Sequence, residues 1–194
     1  MNMIQNNFYT DRELQECGFK SIGNNVKISK KASIYKPELM SIGDNVRIED
    51  FCVLNGHVTI GNNVLLCVFC LLDGHAGITI EDNVTFAAKV SVHSGSDDYS
   101  GASLFGSYIP VEKRLKHVNA PVLIKQHSLI ADSVVIMPGC ILEEGSAIGA
   151  FSFVKEGTLP WGIYAGIPAR RIRERKNDVA FLYADFLKEC KNGY

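Results

Sequence analysis

The chain has 194 residues, with twenty basic and twenty-one acidic side chains and a formal net charge of −1. This balance argues against a dedicated nucleic-acid-binding protein, which normally carries a basic face. No run of about eighteen apolar residues occurs, and the first residues lack the basic region and apolar stretch of a signal peptide. We therefore expect a cytoplasmic protein that does not insert into a membrane.

Residues 1–19 form a polar N-terminal segment in which we expect one short helix. Thr10-Asp11-Arg12-Glu13 has the pattern of a capping box, in which the first and fourth side chains satisfy the free amides of a helix start. Tyr9 and Leu14 can pack against each other across this start, and Gly18 can end the helix.

From residue 20 onward, aliphatic residues recur every six positions. The uninterrupted runs are Ile42, Ile48, Leu54, Ile60, Leu66 and Leu72, and Ile124, Ile130, Ile136, Leu142, Ile148 and Val154. A small or β-branched residue follows most of them by four positions, as at Val46, Cys52, Val64, Cys70, Val134 and Cys140. Neither a 3.6-residue helical period nor simple alternation gives this repeat.

Larger units repeat as well, and they place corners between the six-residue segments. Ile-Gly-Asn-Asn-Val at 22–26 has close copies at 42–46, 60–64 and 80–84, and Gly, Asn and Asp tolerate left-handed backbone. Six residues a side and eighteen a turn predict a triangular prism of short parallel strands, an all-β solenoid over residues 20–173. We count about five to six coils. The interior positions explain Cys52, Cys70 and Cys140 as buried reduced thiols.

The repeat is interrupted between Val92 and Val122 by a segment rich in Gly, Ser, Tyr and charged residues. The periodic pattern resumes beyond it, so we expect a loop of about residues 93–121 extruded from a rigid frame. After residue 173 the pattern turns helical, and Val179, Leu182 and Phe186 give residues 174–194 an apolar stripe, with Tyr183 and Leu187 as further candidates.

The repeat, the loop and the ending Tyr164-Ala165-Gly166-Ile167-Pro168-Ala169-Arg170-Arg171-Ile172-Arg173 together resemble the hexapeptide-repeat, left-handed β-helix acyltransferases. Ser94-Gly95-Ser96-Asp97-Asp98-Tyr99-Ser100-Gly101 looks like the loop of acetyltransferases from surface-polysaccharide biosynthesis, among them N-acetyltransferases of dTDP-4-amino-4,6-dideoxyglucose. The resemblance implies left-handed coiling and a homotrimer with sites between subunits. It also implies acetyl-CoA as co-substrate, a nucleotide-linked amino sugar as acceptor and no metal.

His93 follows the last scaffold residue before the loop, where catalytic histidines lie in this family. A neutral imidazole suits removal of the acceptor's proton near neutral pH, so His93 is the candidate general base. An incidental surface histidine is the alternative. Asp97, Asp98 and Tyr99 are candidate substrate contacts; either Asp could orient His93, bind a sugar ammonium or act as base, or the segment could be a polar turn.

The family resemblance also assigns coenzyme contacts. Arg170 and Arg173 match residues that bind coenzyme A phosphates, and clustered arginines suit phosphate; a merely solvated basic face is the alternative. Asp132, Ala150 and Lys155 match positions along the pantetheine tunnel. Phe151 stands where the family commonly has glycine, which could reshape that tunnel.

Other functions fit the same fold. Sugar or xenobiotic O-acetylation differs only in the acceptor, and the sequence does not decide between the two. A metal-binding or non-catalytic prism is a further alternative, but a histidine pair five residues apart, the spacing of the metal-binding relatives, is absent. We interpret His57 and His75 as solvated corner residues and His127 as a turn residue.

Overall fold

In a computed structural model, which describes residues 7–191, the chain coils into a parallel β-solenoid with three faces. Twenty strands occur in chain order: β1 (Ser21–Ile22), β2 (Lys27–Ile28), β3 (Ser33–Tyr35), β4 (Met40–Ile42), β5 (Arg47–Ile48), β6 (Val53–Ile60), β7 (Leu65–Leu66), β8 (Leu71–Ile80), β9 (Thr85–Phe86), β10 (Ser91–His93), β11 (Gly95–Ser96), β12 (Val118–Asn119), β13 (Val122–Ile124), β14 (Leu129–Ile130), β15 (Val135–Ile136), β16 (Ile141–Leu142), β17 (Ala147–Ile148), β18 (Phe153–Val154), β19 (Gly162–Gly166) and β20 (Ala169–Glu174). The expected all-β solenoid is confirmed.

Each face is a ladder of strands from successive coils. One face consists of β2, β5, β7, β9, β14, β17 and β19, with β20 added antiparallel at its end. On the other two faces, β6 and β8 continue through a corner and therefore pair on both sides of it. The first ladder holds seven parallel strands, so the solenoid has about one coil more than the repeat suggested.

The six-residue repeat fills the interior of the prism. Ile48, Leu54, Leu66 and Leu72 are fully buried, and Phe86 is the largest side chain without solvent exposure. Cys52, Cys70 and Cys140 are free and buried among them, as expected. The buried aliphatic side chains of the repeat stack on equivalent residues of neighbouring coils, because one coil alone cannot cover its apolar side.

At one corner, a column of residues has the left-handed backbone conformation, with φ of 52° at Asn25 and 63° at His127. Asparagine tolerates this conformation, and Asn25 Nδ2 donates to Asn45 Oδ1 at 2.9 Å in the next coil. Higher in the column, Asn83 Nδ2 and His127 Nδ1 hydrogen-bond at 2.8 Å. The interpretation of His127 as a turn residue therefore agrees with its backbone.

Two helices flank the prism. α1 (Asp11–Glu16) has the expected capping box between Thr10 and Glu13, with Leu14 buried against the core. α2 (Asp178–Lys191) begins four residues later than the sequence suggested, because β20 extends to Glu174. Residues 1–6 and 192–194 of the expected terminal segments lie outside the described part of the chain.

Helix α2 contacts the asparagine corner through Tyr183, one of the residues expected in the apolar stripe. Asn63 Nδ2 donates to Tyr183 Oη at 2.6 Å, and the Tyr183 ring meets His127 edge-on at 5.4 Å. Leu182, expected in the apolar stripe, is 68% exposed. None of the helices within residues 7–191 is long and apolar enough to cross a bilayer.

Candidate functional site

The loop leaves the prism at His93, the last residue of β10. His93 is the in-register neighbour of Asp73 in β8, one coil earlier. Neighbouring residues of a parallel ladder point to the same side, with strands about 4.8 Å apart. His93 is half-buried, and among the described residues its imidazole has no hydrogen-bond partner. The ring is therefore held by a rigid strand while both its nitrogens are free to meet a substrate.

Buried Ser94 fixes the base of the loop. Its backbone N–H and its hydroxyl both donate to the carbonyl oxygen of Asp73, each at 3.0 Å. The same hydroxyl accepts from the N–H of Ala76 at 2.8 Å, and the Ser94 carbonyl accepts from Ala120. Next to Ser94, β11 pairs antiparallel with β12, which ties the two ends of the loop together.

His93 lines an open cavity of about 600 Å³ between the loop and the prism, which we call the His93 cavity. The loop side is formed by Gly95, Ser96, Asp97 and Tyr99, and the prism side by Val135, Met137 and Phe153. An imidazole thus lies beside apolar side chains of the same ladder, at a space large enough for a small substrate.

The three loop residues predicted to contact substrate have different positions. Asp97 lines the His93 cavity; its Oδ2 accepts from the N–H of Gly106 at 3.2 Å. Tyr99 also lines the cavity and is 89% exposed. Asp98 does not line it. Its carboxylate accepts from Ser100 N–H and Oγ and from Ala102 N–H, at 3.0, 2.8 and 3.1 Å.

The hydrogen bonds from Ser100, with that from Ala102, lower the pKa of Asp98. A carboxylate already committed to a turn is a poor proton acceptor. The polar-turn interpretation therefore suits Asp98, while Asp97 retains access to the cavity.

The residues matched to coenzyme contacts lie in two groups. Asp132 and Ala150 belong to successive coils at another corner, where the N–H of Phe151 donates to the Asp132 carbonyl at 3.0 Å. Phe151 there has a φ of 57° and is 70% exposed. The corner beside Asp132 and Ala150 thus carries a projecting aromatic ring where glycine is common.

The cationic group lies on the last coil and on β20. Lys155 Nζ and Arg170 Nη1 approach the Glu156 carboxylate at 3.7 and 3.5 Å. Both distances exceed those of a close ion pair, and all three side chains are about half exposed or more. Arg173 lies on the same strand as Arg170 and is exposed. These cations remain available to an anionic ligand such as a phosphate.

A second cavity, of about 360 Å³, adjoins the His93 cavity at β11, and sequence reasoning did not find it. We call it the loop-base cavity; it shares Gly95, Ser96 and Asp97 with the His93 cavity. Its other walls include Asp73, His75, Arg114, His117 and Asn119. The eighteen-residue coil could have placed Asp73 and His75 under the loop, whereas nothing in the pattern places Arg114 there.

Sequence reasoning also missed the surroundings of His127. The ring is nearly buried, stacks on Trp161 at 6.0 Å and meets Tyr183. Burial lowers the pKa of His127. Among the described residues, no group of three His, Cys, Asp or Glu side chains is arranged to hold a metal ion.

Comparison with known proteins gives concordant matches. The model of the bacterial transferase hexapeptide (six repeats) family matches residues 40–74. A dTDP-4-amino-4,6-dideoxy-D-glucose acyltransferase from Escherichia coli is 39% identical over 177 residues, 90% of this chain and 92% of the relative. The galactoside O-acetyltransferase of E. coli K12 is 27% identical, covering 84% of this chain and 78% of that enzyme.

Among solved structures, the chain is similar to AntD, an N-acyltransferase from Bacillus cereus. A variant of AntD in complex with dTDP-4-amino-4,6-dideoxyglucose and coenzyme A superposes with a TM-score of 0.92 at 42% identity, covering 95% of this chain and 100% of AntD. AntD with dTDP and 3-hydroxybutyryl-CoA gives a TM-score of 0.84 at 38% identity, covering 96% and 100%.

Proposed function

Because the chain belongs to the hexapeptide-repeat acyltransferases with a left-handed β-helix, we propose that it transfers the acetyl group of acetyl-CoA to the amine of a nucleotide-linked amino deoxysugar, similar to dTDP-4-amino-4,6-dideoxyglucose. The observation that carries the proposal is the His93 cavity, where an imidazole without a hydrogen-bond partner among the described residues lies beside apolar side chains. The sugar class follows from what the E. coli relative and AntD act on or bind.

His93 acts as general base in this reaction. The amine nitrogen attacks the thioester carbonyl carbon, and the imidazole takes the proton that the nitrogen must lose. The carbon–sulfur bond breaks, and His93 returns the proton to the departing thiolate, so that the products are the amide and coenzyme A. Direct transfer suits the chain because burial raises the pKa of the Cys140 thiol and Cys52 and Cys70 are enclosed in the core.

The remaining site residues bind and orient. Val135, Met137 and Phe153 provide an apolar wall for a deoxysugar methyl, and Asp97 and Tyr99 contact the sugar from the loop. Asp98 stabilises the turn that positions Asp97 and Tyr99. Arg170 and Arg173 hold coenzyme A phosphates, while Asp132, Ala150 and Lys155 line the path of the pantetheine arm beside Phe151.

The proposal includes a homotrimer with sites between subunits. In support, the loop exposes large apolar side chains, with Tyr99 at 89%, Tyr108 at 99% and Leu115 at 80%. Such groups, clustered on one segment, mark an interaction surface. The prism wall beside the His93 cavity continues as half-buried Val53 and Leu71, another surface that a second copy can cover. We place the reaction in the cytoplasm, within surface-polysaccharide biosynthesis.

O-acetylation of a sugar is the second candidate, favoured by the match to galactoside O-acetyltransferase. The same imidazole serves a hydroxyl acceptor, which needs a base more than an amine does, because an amine can lose a proton to water before it attacks. The choice of acceptor therefore distinguishes the two candidates.

The test is thiol release from acetyl-CoA with dTDP- and UDP-linked amino deoxysugars, galactosides and a buffer blank, for wild type and His93→Ala. We expect turnover with one nucleotide-linked amino sugar and a fall in kcat of about 10²–10⁴-fold in the variant. His57→Ala, a change of an exposed corner histidine, is the matched control and should leave kcat unchanged. Turnover only with galactosides would move the assignment to O-acetylation, and a His93→Ala rate near wild type would remove His93 as base. A parallel series with 3-hydroxybutyryl-CoA tests the choice of acyl group.

A further inference from the structure

Arg114 in the extruded loop carries the one buried side-chain nitrogen or oxygen without a hydrogen-bond partner within residues 7–191, its Nε. The side chain is 22% exposed, and its nearest carboxylate, Asp97, lies 3.8 Å from Nη1. That distance is too long for the paired hydrogen bonds that a guanidinium makes with a carboxylate. A largely buried cation is therefore incompletely paired, a situation that proteins normally avoid.

The loop-base cavity gathers further donors around Arg114. His117 Nδ1 lies 2.5 Å from the Arg114 carbonyl oxygen, which fixes the ring as a donor at that nitrogen and leaves Nε2 free. The imidazole of His75, the side-chain amide of Asn119 and the hydroxyl of Ser107 complete the polar lining. An amide or a hydroxyl can donate to an oxygen ligand, and an imidazole can present a ring N–H to one.

The two carboxylates in the same cavity already have donors. Asp73 Oδ1 accepts from Asn55 Nδ2 at 3.3 Å, and Asp97 Oδ2 accepts from the Gly106 N–H at 3.2 Å. The cavity thus holds the unpaired Nε of Arg114 and two imidazoles, and each of its two carboxylates already accepts one hydrogen bond. This arrangement favours an anion over a cation.

The loop-base cavity is also next to the proposed reaction centre. The two cavities share Gly95, Ser96 and Asp97 as lining residues, so they adjoin at β11. In a nucleotide-linked amino sugar one pyranose ring separates the amine from the diphosphate. A ligand with its amine at His93 can therefore place its diphosphate in the adjoining loop-base cavity.

We propose that the loop-base cavity binds the diphosphate of the acceptor, with Arg114 as the principal phosphate ligand and His75 and His117 as supporting donors. The planar fork of Arg114 suits two phosphate oxygens better than a lysine ammonium does. Arg114 and the two histidines thereby become specificity residues that select nucleotide-linked sugars over free sugars. This inference rests on the proposed acceptor class.

The test compares the binding of dTDP, inorganic pyrophosphate and thymidine by calorimetry, for the full-length wild type, Arg114→Ala and Arg114→Lys. We expect Arg114→Ala to raise the Kd of dTDP and of pyrophosphate about tenfold or more, with a smaller change for Arg114→Lys. Thymidine binding and coenzyme A binding should not change. Lys113→Ala, which removes the same charge from an exposed position of the same loop, is the matched control and should behave as wild type.

Each outcome decides the proposal. An unchanged Kd for dTDP in Arg114→Ala, an equal loss for dTDP and thymidine, or wild type that binds neither dTDP nor pyrophosphate would overturn the assignment. Turnover of a dTDP-linked amino sugar with full activity in Arg114→Ala would overturn this site alone and leave the proposed function intact. If pyrophosphate binding depends on Arg114 but no nucleotide-linked amine is turned over, the anion site is supported and the proposed acceptor is refuted.

Discussion

The prism and its extruded loop differ in how far their apolar side chains are buried. In the prism, each apolar residue packs on its equivalents one coil away, and Ile48, Leu54 and Phe86 are completely buried. In the loop, the aromatic and aliphatic side chains are mostly exposed, as at Phe105, Tyr108 and Leu115, and its order comes from polar turns such as that at Asp98. The prism is thus complete within one chain, whereas the loop has apolar surface for a partner or substrate.

The two regions meet at a small, fully hydrogen-bonded junction. Ser94 and the β11–β12 pair hold the loop to the strand that ends in His93. A catalytic side chain at this junction is held by the rigid strands of the prism and is accessible to substrate beside the loop. Three predictions probe this division.

The largest effect is expected from the same truncation made in each region. Phe86→Ala removes a fully buried ring and should lower the free energy of unfolding by about 3–5 kcal/mol. Phe105→Ala removes a ring that is 68% exposed and should change it by about 0.5 kcal/mol or less. Denaturant unfolding at low protein concentration measures both, and a loop variant as destabilised as the core variant would contradict the comparison.

An intermediate effect is expected at the junction. Ser94→Ala leaves the N–H of Ala76 without its acceptor inside the loop base, which should cost about 1–3 kcal/mol. Amide hydrogen exchange at Ala76 and Ala120 should accelerate. Ser100→Ala removes a hydroxyl from the exposed turn at Asp98 and serves as control, with little effect on unfolding. Equal effects of the two serine variants would show that the junction is no more rigid than the loop.

The smallest effect concerns the docking of α2 on the prism at His127. Burial lowers the pKa of His127 below its ordinary value of 6.5, with Asp82, Glu144 and Arg175 also facing the ring. The unfolded chain therefore binds the proton more readily, so the stabilising contribution is present above pH 6.5 and is lost as pH falls.

His127→Asn should remove this pH dependence, because asparagine keeps the left-handed corner and does not titrate. Fluorescence of the single tryptophan, Trp161, followed from pH 8 to about pH 5, reports on the contact. His57→Asn should retain the wild-type profile. A pH response that persists unchanged in His127→Asn would assign it to another group.

Sequence reasoning was strongest where the chain repeats itself. The period of six predicted the interior positions, the corners and the buried cysteines, because each position is equivalent to one a coil away and the pattern is sampled many times. The capping box of α1 was likewise readable, since it depends only on residues three apart. The start of α2 was missed because β20 is stabilised by pairing with β19, which local sequence does not reveal.

The candidate site was predicted in part. The structure brings His93, Asp97 and Tyr99 to one cavity, whereas Asp98 lies in a turn outside it. The predicted roles of these residues, and of the coenzyme contacts, remain predictions that the experiments above address. Arg114 was not found, because its position depends on how a non-repeating loop folds back.

The sequence by itself determined the solenoid, its corners and the point at which the loop departs, because these follow from periodic burial and local backbone preference. Only the tertiary structure decided which loop residues face a cavity. It alone left the Arg114 guanidinium incompletely paired in the cavity that Asp97 also lines. Those contacts join segments with no shared period, so their geometry arises from packing and hydrogen bonding in the folded chain.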